Sequence, residues 1–200
     1  MTAAGLGWGI EARFGGPVFG VDEVGRGPWA GPVTAAAVCL SAADIPAGLA
    51  DSKTISARAR ELIAAQLTHL AIAEASVEEI DRLNIKAATL LAMARAVTAL
   101  AHRLGPPAMI LVDGNILPET DFPATAIVRG DAGVASIAAA SIAAKVHRDA
   151  LMVRLAADFP GYAWERNKGY GTVEHSDGLA RLGITPHHRR SFRPIAKLAS

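Results

Sequence analysis

Three acidic positions carry the chemistry legible in this chain: the pair Asp22-Glu23, then Asp113, then Asp131. Each lies just past a short apolar run and close to a glycine, Gly25, Gly114 and Gly130 in turn. Carboxylates at the strand ends of one sheet can converge on a single patch, where they repel one another unless protons or cations intervene. Two divalent ions roughly 3.5–4 Å apart, held by such acids, are the recurring answer in phosphodiester chemistry. Hard oxygen ligands, and no Cys/His spacing of the zinc kind, favour Mg2+ or Mn2+. Acids beside glycines are equally ordinary turn residues. Neighbours on a regular strand also face opposite ways, so Asp22 and Glu23 share a site only if the strand ends or bends there; Gly25 and Gly27 offer such a bend.

The elements that must position these acids follow from the apolar pattern. Residues 17–22 and 33–40 predict two strands joined by a glycine-rich turn, a hairpin. Leu62, Ile63 and Leu67 among charges predict an amphipathic helix over 56–70, capped by Ser56. Residues 71–77 predict a third strand, and 77–81 a short helical turn. Residues 86–103 predict a long helix with Leu90, Met93, Ala94 and Val97 on one side, ended by Gly105-Pro106-Pro107. A strand over 109–112 runs straight into Asp113-Gly114, and one over 124–128 precedes Arg129-Gly130-Asp131. The last long helix, 135–159, spells Ala-Ser-Ile-Ala-Ala twice in succession, a small-residue face suited to close packing. Strands first in a meander and then alternating with helices predict an α/β fold, a mixed sheet with helices on its faces.

Composition bounds the alternatives. The chain has 200 residues, 51% hydrophobic, with one cysteine and a net charge of +1, enough for one domain with its own core. Cys39 alone excludes a disulfide scaffold and, within an apolar strand, reads as an inert core residue. The mean hydropathy of +0.27 reflects alanine: the longest weakly polar stretch, 132–144, stops at Lys145, short of the ~20 apolar residues a membrane span needs. Residues 1–16 lack the cationic start and apolar run of a secretion signal. A cytoplasmic protein with no membrane association is expected. Near-neutral charge argues against nucleic-acid binding, but the sum is polarised. Residues 1–159 carry 13 basic and 16 acidic residues, net −3, while 160–200 carry seven basic and three acidic, net +4. Lys53, Lys145 and Lys168 are candidate phosphate contacts, or simply solvated. Asp149, beside Arg148 on the last long helix, reads as half of a structural ion pair. His175, His187 and His188 have no zinc-ligand spacing, His188-Arg189 reads as support for the C-terminal fold, and Trp8, Trp29 and Trp164 are too scattered for a stacking platform.

The string Val21-Asp22-Glu23-Val24-Gly25-Arg26-Gly27-Pro28, with Ala30-Gly31-Pro32-Val33 behind it, resembles the N-terminal motif of bacterial ribonuclease HII, the type 2 ribonuclease H. The resemblance continues in family order through Asp51-Ser52-Lys53, Glu79-Ile80-Asp81, Asn84-Ile85, Leu111-Val112-Asp113-Gly114 and Gly130-Asp131. It runs on through Ala139-Ala140-Ser141-Ile142, Ala144-Lys145-Val146, Arg148-Asp149, Asn167-Lys168-Gly169-Tyr170-Gly171-Thr172, His188-Arg189 and Ser191-Phe192. So many ordered motifs over roughly residues 17–195 are specific in a way that one glycine pattern is not.

The resemblance implies a ribonuclease H-like three-layer fold, a mixed five-stranded sheet flanked by helices. The division it implies is an N-terminal segment 1–16, a catalytic core 17–159 and a helical, substrate-binding extension 160–200. The implied activity is hydrolysis of the RNA strand of RNA–DNA hybrids, and cutting 5′ of a single ribonucleotide in duplex DNA, leaving 3′-hydroxyl and 5′-phosphate ends. The implied metal-binding quartet falls on Asp22, Glu23, Asp113 and Asp131, holding two Mn2+ or Mg2+ ions. Gly25-Arg26-Gly27 matches the ribose-reading turn, with Arg26 on the adjacent phosphate. Tyr170 matches the tyrosine that packs on the deoxyribose beside the RNA–DNA junction; between glycines it also suits a turn aromatic. Ribonuclease HIII fits less well, since it is expected to carry a further N-terminal domain and a glutamate as its last acid. A non-catalytic hybrid-binding protein would gain nothing from clustered carboxylates. A monomer is expected.

Overall fold

The computed structural model describes residues 6 and 8–199; of the N-terminal segment 1–16, residues 1–5 and 7 lie outside the described residues. Its frame is a hairpin of valine- and alanine-rich strands. β1 (Val18–Val24) pairs antiparallel with β2 (Val33–Cys39), from Phe19↔Cys39 to Val24↔Thr34. β1 thus runs two residues past its expected end, because Glu23 and Val24 still have partners on β2. The acids Asp22 and Glu23 lie within the strand and not after it. Cys39 closes β2 half-buried, not deep in the core, and burial pushes its thiol up, away from reactivity.

Helix α1 (Ala57–Ala64) starts where predicted, Ser56 accepting the Ala59 N–H, but ends at Ala64. The amides of Gln66 and Leu67 turn back onto the carbonyls of Ile63 and Ala64, which swings Leu67 into the core and leaves Leu62 52% exposed. The apolar triplet is therefore not one helix face. β3 (Leu70–Ala75) pairs antiparallel with β2. It stops before Ser76, whose hydroxyl and amide form a reciprocal capping box with Glu79 at the start of α2 (Val77–Leu83). In α3 (Ile85–Leu104), Ala88, Ala92, Met93, Ala96, Val97 and Leu100 are buried, and these residues share a core with both hairpin strands and β3. By length and composition alone α3 could span a bilayer; this stripe is spent on the sheet instead.

β4 (Met109–Asp113) adds parallel to β1 and β5 (Ala124–Ile127) parallel to β4, giving the order β3-β2-β1-β4-β5. This is the mixed five-stranded sheet expected. Its second face is covered by α4 (Ala135–Asp158). At Gly20 of β1 the contact is made by main chain: a Cβ there would lie 2.1 Å from the Ser136 carbonyl carbon and 2.4 Å from the Ile137 nitrogen. The small residues of the repeated quintet, Ala135, Ala138, Ala139, Ala140, Ala143 and Ala144, are buried here. Val134 offers α4 no side-chain cap. Glu11, 1% exposed in a 3-10 turn at Glu11–Arg13, supplies one from outside by accepting the Ser136 amide and hydroxyl, both at 2.9 Å. Short helices α5 (Trp164–Asn167), α6 (Val173–Leu182) and α7 (Arg193–Ala199) follow. Trp164, Leu179 and Ile195 from them close a separate core with Ala30, Met152 and Tyr162.

Candidate active site

Parallel register sets the first two acids side by side. Val21 pairs with Val112, so the next residues on each strand, Asp22 and Asp113, emerge together on the α4 face. Glu23 turns to the α3 face but lies at the same strand end, and lines the same cleft of about 350 Å3 as Asp22, Asp113 and Asp131. No bend in β1 is needed, because a cleft at the carboxyl ends of β1 and β4 is open to both faces of the sheet. Asp131 sits in a 3-10 turn, Gly130–Ala132, after Arg129 in the left-handed conformation (φ 57°). Asp113 pins that turn: its Oδ1 accepts the Gly130 N–H at 2.7 Å and the Asp131 N–H at 3.4 Å.

The cleft sets four acids against Lys53, Arg60 and Lys145. Burial, then the charges of Glu23 and Asp113, push the Asp22 carboxyl well above the usual carboxylate range, against hydrogen bonds from the Ser141 side chain and the Glu23 amide. Lys53 sets its ammonium 2.8 Å from Asp131 Oδ2, which raises the lysine's own affinity for its proton. Arg26 reaches Glu23 at 3.2 Å. Among the described residues no three acid, His or Cys groups are drawn into a closed ligand cage. The chemistry of the donor set nonetheless fits hard divalent cations: oxygen donors only, a buried carboxyl crowded by two further acids, and one ammonium already standing in.

The other candidates separate. Lys145 and Tyr170 line the cleft; Tyr170 is 46% exposed, its ring in van der Waals reach of Gly27, where a methyl would lie 3.4 Å away. Lys168 does not line it, and its ammonium sits 2.5 Å from the Glu165 carbonyl. Asp149 does form an ion pair, but with Lys145 at 2.7 Å and not with Arg148, since positions four apart share a helix face and adjacent ones do not. Trp29 and Trp164 are not scattered in space: both rings lie within 6 Å of His175. Trp164 is fully buried, so the group is internal.

His175 and His188 form a relay with assignable protons. Trp164 Nε1 donates to His175 Nε2, leaving His175 Nδ1–H to donate to the Tyr170 carbonyl. The Thr185 amide donates to His188 Nδ1, leaving His188 Nε2–H to share the single lone pair of His175 Nε2 with the Trp164 N–H. Both rings are neutral.

Residues the sequence reading did not place at the site support it from below. Ser141 bonds Ser52 at 3.0 Å, and Arg60 holds the Ser52 and Ile55 carbonyls. Arg148 could have been found from periodicity: with Ala144 and Met152 it recurs every four residues along α4, and all three are buried.

A profile of the family described as Ribonuclease HII matches residues 19–195. The ribonuclease HII of Jannaschia sp. is 56% identical over 193 residues, covering 94% of this chain and 96% of that one. Among solved structures, the ribonuclease H2 from Pyrococcus horikoshii OT3 superposes with a TM-score of 0.74 at 24% identity, covering 91% and 96% of the two chains. Bst-RNase HIII in complex with Mn2+ does so with a TM-score of 0.70 at 20% identity, covering 92% and 69%. Sheet order and layers are thus those of the ribonuclease H-like fold, and the family match over residues 19–195, with relatives at 56% identity, makes the molecule a nuclease. Within it, the chain belongs to the ribonuclease HII family.

Proposed function

We propose that this chain hydrolyses the RNA strand of RNA–DNA hybrids and cuts 5′ of single ribonucleotides embedded in duplex DNA, leaving 3′-hydroxyl and 5′-phosphate ends. The observation that carries this reading is that four acids from β1, β4 and the Gly130–Ala132 turn line one cleft that Tyr170 also lines. Two Mg2+ or Mn2+ ions held by Asp22, Glu23, Asp113 and Asp131 would supply an activated water and stabilise the leaving 3′ oxygen.

The remaining work falls to the chain's own groups. Ser141 and the amides of residues 130 and 131 fix the directions of the Asp22 and Asp113 carboxylates. Gly25 (φ 90°) lets main chain approach a sugar edge, where only the 2′-hydroxyl distinguishes RNA from DNA. Arg26 grips the neighbouring phosphate, and Tyr170 packs on the adjoining deoxyribose. Lys53 and Lys145 contact phosphates at the cleft, and Lys168 a phosphate further out. Residues 17–159 carry the chemistry, 160–200 the second substrate surface, and the chain acts as a monomer.

The test is a duplex with one embedded ribonucleotide, incubated with Mg2+ or Mn2+ and analysed for product ends. Cleavage 5′ of the ribonucleotide is expected. Binding without cleavage would leave a hybrid-binding protein on the same fold.

A further inference from the structure

Two buried guanidinium groups lie beneath the substrate-facing loops, and among the described residues neither bonds a carboxylate. Arg148 is 1% and Arg189 0% exposed. Burial draws them down to about 10 and about 9, so both stay charged at neutral pH. A buried cation without an ion partner is costly, and an apolar side chain of similar size would pack there more cheaply. Every hydrogen bond these two make goes instead to main-chain carbonyls. Arg189 bonds Gly25 O (2.6 Å), Arg26 O (2.9 Å), Gly31 O (2.9 Å) and Pro32 O (3.1 Å). Arg148 bonds Ala30 O, Pro32 O and Lys168 O, each at 3.0 Å.

This pattern has a geometric consequence. In a trans peptide the N–H points opposite the carbonyl, and the described chain contains no cis bond. With the Gly25 and Arg26 carbonyls held inward, the amides of Arg26 and Gly27 face outward, at two exposed residues. Arg148 meanwhile spans from that loop to Lys168, two residues before Tyr170. The same seam is closed by the Trp29 amide on the Gly169 carbonyl (2.8 Å). It is tight: a Cβ on Gly169 (φ 86°) would lie 2.6 Å from the Ala30 carbonyl oxygen.

We propose that Arg148 and Arg189 are positioning residues for substrate selection, Arg189 presenting the turn's amides and Arg148 fixing the gap between that turn and Tyr170. The proposal rests on reading the chain as a ribonuclease that recognises an RNA–DNA junction. A gap fixed in this way governs isolated ribonucleotides, where turn and tyrosine must grip adjacent sugars at once, more than continuous hybrids.

The test compares kcat/KM on a single-ribonucleotide duplex with kcat/KM on a continuous hybrid, in excess Mn2+, with Tm measured alongside. Arg148→Lys keeps the charge and loses the fork; Gly169→Ala strains the same seam without touching an arginine. Both are expected to lower the single-to-hybrid ratio by about 10-fold, the scale on which sub-ångström misplacement costs rate. In a Tyr170→Ala background, Arg148→Lys is expected to change the ratio no further. An unchanged ratio in a folded variant overturns the proposal, as does an equal loss on both substrates or an effect additive with Tyr170→Ala. If Arg148→Lys does not fold, Gly169→Ala and Arg189→Lys decide by the same ratio. A wild type that cuts neither substrate refutes the functional reading itself.

Discussion

Asp22 and Asp113 stand side by side, yet each has a separate second duty: Asp22 takes the Glu23 amide and Ser141, Asp113 the turn that carries Asp131. Asp22→Asn and Asp113→Asn are each expected to lower kcat at least ~10²-fold on the single-ribonucleotide duplex, the cost of losing one preorganised charge-stabilising group. Full activity in both would remove these acids from the site. Asp113→Ala also frees the Gly130 amide, so its combination with Asp131→Ala is expected to be less than additive in rate. Tyr170→Ala is expected to weaken cutting at isolated ribonucleotides relative to continuous hybrids; an unchanged preference, measured by competition between the two substrates, would refute its role. The acids were legible because an acid straight after an apolar run, beside glycine, is a local pattern. The four-residue spacing of Ala144, Arg148 and Met152 marks Arg148 as buried, but what Arg148 and Arg189 hold was not legible, because a partner that is a backbone carbonyl leaves no trace in the spelling of side chains.

At the level of elements, α4 depends on a cap that is distant in the chain. Glu11 reaches Ser136 across 125 positions, and its second carboxylate oxygen is buried without a hydrogen-bond partner. Glu11→Ala is expected to destabilise the fold by about 1–2 kcal/mol, as for other lost N-terminal caps; urea denaturation measures this, and an unchanged midpoint would show that water replaces the carboxylate. Long-range capping has no sequence pattern, and nothing in residues 1–16 announced it. The sheet and the two long helices were legible within a residue or two, because the strands are short apolar runs and glycine, proline or an acid marks most of their ends. The end of α1 was not, since Leu62, Ile63 and Leu67 fit a helix equally well whether or not the chain turns at residue 65. The end of β1 was set by pairing with β2, which a single run of residues does not reveal.

For the whole molecule, charge and protonation are distributed differently from the linear sum. Of the seven basic residues in 160–200, Arg189 is buried and Arg166 is bound to Glu165 and Glu174, so less of the +4 region reaches a phosphate backbone than its count implies. The buried relay makes stability depend on pH. Burial holds His188 near 4 and lowers His175 as well, whereas unfolded histidines titrate at about 6.5. The unfolded chain therefore takes up protons first: this stabilisation is complete above about pH 6.5 and is lost as pH falls towards 4. Tm is expected to fall between pH 7 and pH 5, less steeply in His188→Gln; a flat profile would contradict the buried neutral rings. Below about 4.5 a second loss follows, because hydrogen bonds from Arg95 and the Ser76 amide hold Glu79 near 2. The contact between Gly20 and the backbone of α4 bears on how this chain can drift in sequence. Where layers meet through side chains, exchanging one apolar residue for another shifts their spacing; at Gly20 no side chain lies between strand and helix. Two residues further along the strand, the approach of Asp22 to Ser141 thereby rests in part on main chain in contact with main chain. A single methyl at position 20 would force strand and helix apart and shift the site with them.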